Sequence, residues 1–110
     1  MKKINALLLL VGLLVSTGAS AVEIIGAPPC ENWVKARNEN NSWLARVFQG
    51  WLVGYLSGLA VGRDKDVLGE TDSSSIDLWM DNYCKANPLK DVGDGGIYLY
   101  FELVKQKHIK

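Results

Sequence analysis

No charge of either sign is in excess in this sequence: 12 Lys and Arg balance 12 Asp and Glu over 110 residues. A basic surplus is the electrostatic footprint of nucleic-acid or anionic-lipid binding, so neither partner is expected. Histidine is nearly missing. His108, the sole one, stands third from the C-terminus and has no second histidine with which to hold a metal. A nucleophile–His–acid triad would have to rely on that frayed end. Cysteine is limited to Cys30 and Cys84, which form neither a C-x-x-C motif nor part of a His cluster. A chain this short leaves room for one small domain and excludes a cofactor-binding doubly wound sheet. No segment alternates apolar and polar residues with the period of two that a half-buried strand requires. Neither a cofactor nor a metal is expected, and no constellation supports catalysis, so an enzyme is not expected either.

What is present begins with an export leader. Met1-Lys2-Lys3 is basic, residues 4–15 are apolar apart from Asn5, and Ala19-Ser20-Ala21 has a small-x-small form. This pattern predicts a signal peptide over residues 1–21, cleaved before Val22, and a single helical domain over residues 22–110. The twelve-residue apolar core is shorter than the roughly 20 residues a membrane span needs. Loss of Lys2 and Lys3 leaves ten basic groups against twelve acidic ones. In the oxidising compartment that export implies, Cys30 and Cys84 are expected to pair. Closing a loop of roughly 54 residues is worth about 4 kcal/mol in the chain-entropy picture. Cys30 follows Pro28-Pro29, nine residues past the cleavage point, where a lipid-modified cysteine does not stand. A periplasmic or secreted protein follows.

Pro28-Pro29 bars helix and predicts an extended lead-in. A short helix is expected from residue 30 to about 38, carrying Cys30, Trp33 and Val34 on one side. Ser42 is a candidate N-cap for the longest helix. There Trp43, Val47, Trp51 and Tyr55 recur every four residues, with Phe48, Leu52, Leu56 and Leu59 alongside. Sixteen residues between Arg46 and Arg63 carry no charge, a run short of a span and expected to be a buried core helix. Gly50, Gly54, Gly58 and Gly62 lie on it at strict intervals of four. Each costs about 1 kcal/mol relative to alanine, so the stripe predicts a close backbone approach, within the chain or across a homodimer seam. A polar loop over residues 63–75 follows. Ser74 with Asp77 reads as a capping box, and Ile76, Trp79, Met80, Tyr83 and Cys84 share the face of a third helix that stops before Pro88. Residues 91–96 read as a turn, and Ile97, Leu99, Tyr100, Phe101, Leu103 and Val104 as a last helix. The expected architecture is all-α, a small bundle of about four helices stapled by one disulfide.

Apparent ligand motifs fail on inspection. Asp64-x-Asp66 with Gly69 echoes a calcium loop, but Leu68 and Ser75 occupy positions that need oxygen ligands. Gly93-Asp94-Gly95-Gly96 lacks the strand and lysine of a phosphate loop. The tryptophans are read as core, with Trp43 and Trp51 on the long helix and Trp79 on the next. From residue 64 to residue 81, six acids face Lys65 alone. Asp64, Asp66, Glu70 and Asp72 are therefore candidate partner-binding residues on a loop that has little to bury, while a solvated surface is the plain alternative.

Trp51-x-x-Gly54-Tyr55-x-x-Gly58, followed by Trp79-x-x-x-Tyr83-Cys84-x-x-Asn87-Pro88, resembles small exported proteobacterial proteins similar to the Rap/Tai family of type VI secretion immunity proteins. The likeness runs over residues 30–104. Family members often carry a second cysteine pair, including a cysteine just before the glycine–tyrosine–glycine motif, where this chain has Trp51 and its neighbours. The resemblance implies a helical periplasmic protein, commonly a dimer, that plugs the cleft of a secreted cell-wall amidase toxin. A more distant likeness is to HdeA-type acid-stress chaperones, which are also small, exported and helical with one long-range disulfide. An envelope structural or adaptor protein is the third expectation.

Overall fold

The computed structural model of the chain describes residues 22–39 and 42–109; the leader expected over residues 1–21 lies outside them. Four helices follow in order: α1 Cys30–Asn38, α2 Ser42–Gly62, α3 Ser73–Ala86 and α4 Val92–Gln106. Among the described residues there is no strand, and the all-α bundle expected from the sequence is what forms. Cys30 and Cys84 are bonded, with their Cα atoms 4.8 Å apart, and so tie α1 to α3.

Helices α3 and α4 start where an aspartate caps their free N–H groups, and neither start is where the sequence placed it. The expected Ser74–Asp77 box does not form. Asp72 caps α3 instead, its carboxylate accepting from the Ser75 N–H at 2.7 Å. Asp77 lies too deep to cap anything: it is buried and accepts from the Gln49 Nε2 at 2.8 Å. The expected turn over residues 91–96 is the first part of α4. Asp91 and Asp94 make a reciprocal capping box, which starts the helix ahead of three glycines. Ser42 is the first residue of α2 rather than its cap.

The end of α2 is also built locally. Lys65 N–H reaches the Ala60 carbonyl and Asp64 N–H the Val61 carbonyl, the paired bonds of a Schellman motif. Asp64 holds the left-handed position at φ 51°, where glycine is the usual occupant.

Trp33, Leu52, Leu56, Val67, Met80, Val92 and Tyr100 fill the core around the disulfide. Burying such a side chain is worth about 1.5–3 kcal/mol each. Helix α4 packs on α2 and α3, and α1 packs on the same two helices. The lead-in is pinned at its end, where Cys30 N–H donates to the Lys90 carbonyl and Val92 N–H to the Pro28 carbonyl. Asp81 fastens α1 to α3 beside the disulfide: it accepts from Trp33 Nε1 at 2.8 Å and from both Nε and Nη2 of Arg37.

The close helix contacts use other glycines than the sequence suggested. A Cβ on Gly54 or Gly58 would meet nothing within 4 Å, and the same holds for Gly50 and Gly62. Among the described residues, the stripe therefore packs against nothing within 4 Å. Gly95 and Gly96 do that work, pressed against α3 and α2 respectively.

Candidate binding surface

Helix α2 has more apolar surface than its two shorter partners, α1 and α4, can cover. Leu52 and Leu56 go fully into the core, and Phe48, Trp51, Leu59 and Ala60 are packed against it. The opposite side stays open. Trp43 is 73% exposed, Val47 47% and Val61 82%, so Trp43 and Val47 are not core residues as their spacing predicted. A helix side can be buried only where a neighbour reaches it, and α1 and α4 reach one side. Trp43–Gly62 is long and apolar enough to cross a membrane by length and composition, yet only 11% of its most apolar window is buried. The expectation of a buried core helix thus holds for one edge of it. Between the exposed side chains, the four glycines leave a trough, with nothing among the described residues within 4 Å of where their Cβ atoms would stand.

One flank of this face becomes a groove. The lead-in passes α2 so that a Cβ on Gly26 would touch Trp51 Nε1 at 3.4 Å. Val22, Ile24 and Ile25 on one side and Trp51, Tyr55 and Leu59 on the other bound an open recess of ≈ 820 Å³. The rings of Trp51 and Tyr55 stack with centroids 5.2 Å apart. Burial pushes the Tyr55 hydroxyl above its usual pKa, helped by the charges of Asp94 and Asp91 and opposed by Arg63. Arg63 closes the far end with its guanidinium over the rings of Tyr100 and Phe101, at 5.6 and 5.4 Å.

The acidic loop is less free than its composition suggested. Asp64, Asp66, Glu70 and Asp72 are all exposed, as expected. Two of them already have local work. Asp66 accepts from the Gly69 N–H at 3.0 Å, and Asp72 caps α3. Val67 is fully buried and anchors the loop to the core, so the loop does have something to bury. Lys107 Nζ donates to the Gly69 carbonyl and ties the loop to the C-terminal end. Asp64 and Glu70 remain as outward charges, and Glu70 sits at φ 62°, a left-handed position.

The motif residues divide. Tyr83 and Trp79 are half-buried, Gly54 and Gly58 face outward, and Pro88 is exposed. Asn87 Nδ2 donates to the Tyr83 carbonyl and helps end α3. Among the described residues, no three His, Cys, Asp or Glu side chains gather where they could hold a metal. Sequence reasoning missed the groove residues Val22, Ile24 and Ile25, because a lead-in of mixed composition carries no periodic signal. It also missed the open side of α2. The signal for that was available: a 21-residue helix apolar on most sides cannot be covered by helices of 9 and 15 residues packed on one flank. No family model matches the chain, and neither a curated protein nor a solved structure does.

Proposed function

We propose that this is a non-enzymatic binding protein of the immunity or inhibitor type, which occludes the cleft of a protein partner in the periplasm. The observation that supports it is the open, uncharged side of α2. Glycines in a helix interior cost about 1 kcal/mol each relative to alanine, and among the described residues nothing lies within 4 Å of the Cβ that any of the four would carry. Large apolar side chains left exposed on a helix, here Trp43, Val47 and Val61, mark interaction sites. The trough between Trp43, Val47 and Val61 suits a ridge of protein side chains. A lipid surface gains less there, because glycine offers almost no apolar area and Arg46 stands exposed within the same helix. Asp64 and Glu70 at the end of α2 steer a partner with a basic cleft. The Rap/Tai-like motif around Gly54, Tyr55 and Gly58 supplies the partner class, a secreted cell-wall amidase.

The test is capture from an envelope extract on the immobilised chain, with Trp43→Asp and Val61→Asp in parallel. Both residues are exposed, so the fold is retained. The reading predicts a hydrolase that the wild type retains and inhibits at one-to-one stoichiometry, and that both variants lose. Equal retention by all three proteins places the binding surface elsewhere. Sedimentation of the purified chain alone decides whether a second copy, rather than another protein, covers α2.

A further inference from the structure

A second surface is assembled from aromatic residues that the core leaves half outside. Trp79 and Tyr83 stand one turn apart on α3, their rings within 10° of parallel and their centroids 5.5 Å apart. Tyr98 on α4 continues the row, 6.1 Å from Tyr83 and tilted by 34°, and is 64% exposed. The three rings line an open recess of ≈ 450 Å³, whose rim carries Asn87, Lys90, Asp94 and Glu102. The size falls within the roughly 300–1,000 Å³ usual for small-ligand sites.

Every rim group has hydrogen-bonding capacity to spare. Asn87 spends its Nδ2 on the Tyr83 carbonyl and keeps Oδ1 as an acceptor. Asp94 uses Oδ2 for the Asp91 N–H and keeps Oδ1. Glu102 holds Gln106 through one oxygen at 3.3 Å. The Lys90 ammonium has no side-chain bond among the described residues and supplies three donors.

We propose that this recess is a saccharide site for a neutral oligosaccharide. A sugar ring presents a C–H face that lies flat on an aromatic ring and an edge of hydroxyls that both donate and accept. The exposed apolar surface of the stacked Trp79–Tyr83 pair and of Tyr98 suits the C–H face, and the mixed rim of donors and acceptors matches the edges. Other ligand chemistries fit less well. A wholly apolar ligand would strip water from Lys90, Asp94 and Glu102 and return no bond. An acidic glycan would meet two carboxylates against one ammonium. A quaternary ammonium is held by rings that wall it in, whereas here Trp79 and Tyr83 stack on each other and leave only Tyr98 opposite. The site is separate from the α2 face, so its test stands apart from that of the protein-binding reading.

The experiment titrates the full chain with cellotetraose, chitotetraose and tetragalacturonate, read by tryptophan fluorescence and saturation-transfer NMR. One or both neutral tetrasaccharides should bind with a dissociation constant below about 10 mM, a weak but specific affinity. Tetragalacturonate should bind at least about tenfold more weakly than the better of them. Tyr98→Ala should weaken binding at least about tenfold, as loss of an aromatic anchor does. Trp43→Ser, on the other surface, should leave it unchanged. Circular dichroism checks that the variants keep their helices. Absence of binding by both neutral sugars at about 10 mM overturns the assignment. So does binding that Tyr98→Ala leaves intact, or a recess that takes choline in place of sugar.

Discussion

A Cβ on Gly95 would stand 2.7 Å from Cδ1 of Tyr83, which makes this glycine the point where α4 closes onto α3. Gly96 bears the same relation to Tyr55 on α2, at 2.8 Å. Alanine at either position forces a ring to move, and the Tyr83 ring is itself stacked on Trp79. Gly95→Ala and Gly96→Ala should each destabilise by about 1–3 kcal/mol in urea denaturation. Gly54→Ala and Gly58→Ala should instead stabilise by up to about 1 kcal/mol each, since the added methyl meets nothing and the helix propensity improves. Destabilisation by Gly58→Ala would show that the stripe is covered in solution.

Two neighbouring carboxylates on α3 should respond to acid in opposite ways. Burial pushes the Asp77 carboxyl above its usual pKa, as does Asp81, while Arg37 and the Gln49 hydrogen bond pull it down. A group raised on folding holds its proton more tightly in the folded chain. Its contribution is therefore greatest below the ordinary Asp pKa of about 3.9 and declines as pH rises through the folded value. Asp77→Asn should gain stability relative to wild type over that rise. For Asp81, burial acts upward but is outweighed by the hydrogen bonds from Arg37 and Trp33, which hold it below its usual range. Asp81→Asn should cost about 1–3 kcal/mol at pH 7. That cost should shrink as pH falls through the lowered folded value. Thermal melts at a series of pH values read both.

The acidic loop separates into charges that hold structure and charges that do not. Glu70→Lys should leave the melting temperature nearly unchanged, because its side chain is exposed. Asp64→Lys should lower it slightly, because aspartate suits the left-handed φ of 51° better than lysine does. Asp72→Lys should lower it, since the N-terminus of α3 loses its acceptor and gains a repelling charge. If Asp64 and Glu70 steer a partner, their reversal should slow association more at low salt than at high salt. Stopped-flow kinetics with the captured hydrolase measure this.

Thiol labelling of the native, then denatured, unreduced chain should detect no free cysteine. Reduction should lower stability by about 4 kcal/mol, given the 54-residue separation. Two labelled thiols before reduction would contradict the bond.

Much of the fold was legible because helical periodicity and capping chemistry are local. The spacing of Ile76, Met80 and Cys84 marked the buried side of α3, and Pro29 and Pro88 marked where helices begin and end. The pairing of Cys30 with Cys84 followed from there being only two cysteines. Three things were not local, and the tertiary structure decided them. The first is which glycines lie at helix contacts within the chain: the stripe on α2 meets none of the described residues, and the close approach occurs at Gly95 and Gly96, because α4 crosses there. The second is where α4 begins, since residues of poor helix propensity became helical once the Asp91–Asp94 box and that packing held them. The third is which side of an apolar helix stays bare. Sequence determines that α2 is apolar on most of its circumference; only the placement of α1 and α4 on one flank determines that Trp43, Val47 and Val61 face outward. Periodicity reports what a side chain can bury, and the arrangement of neighbouring helices decides whether anything is there to bury it against.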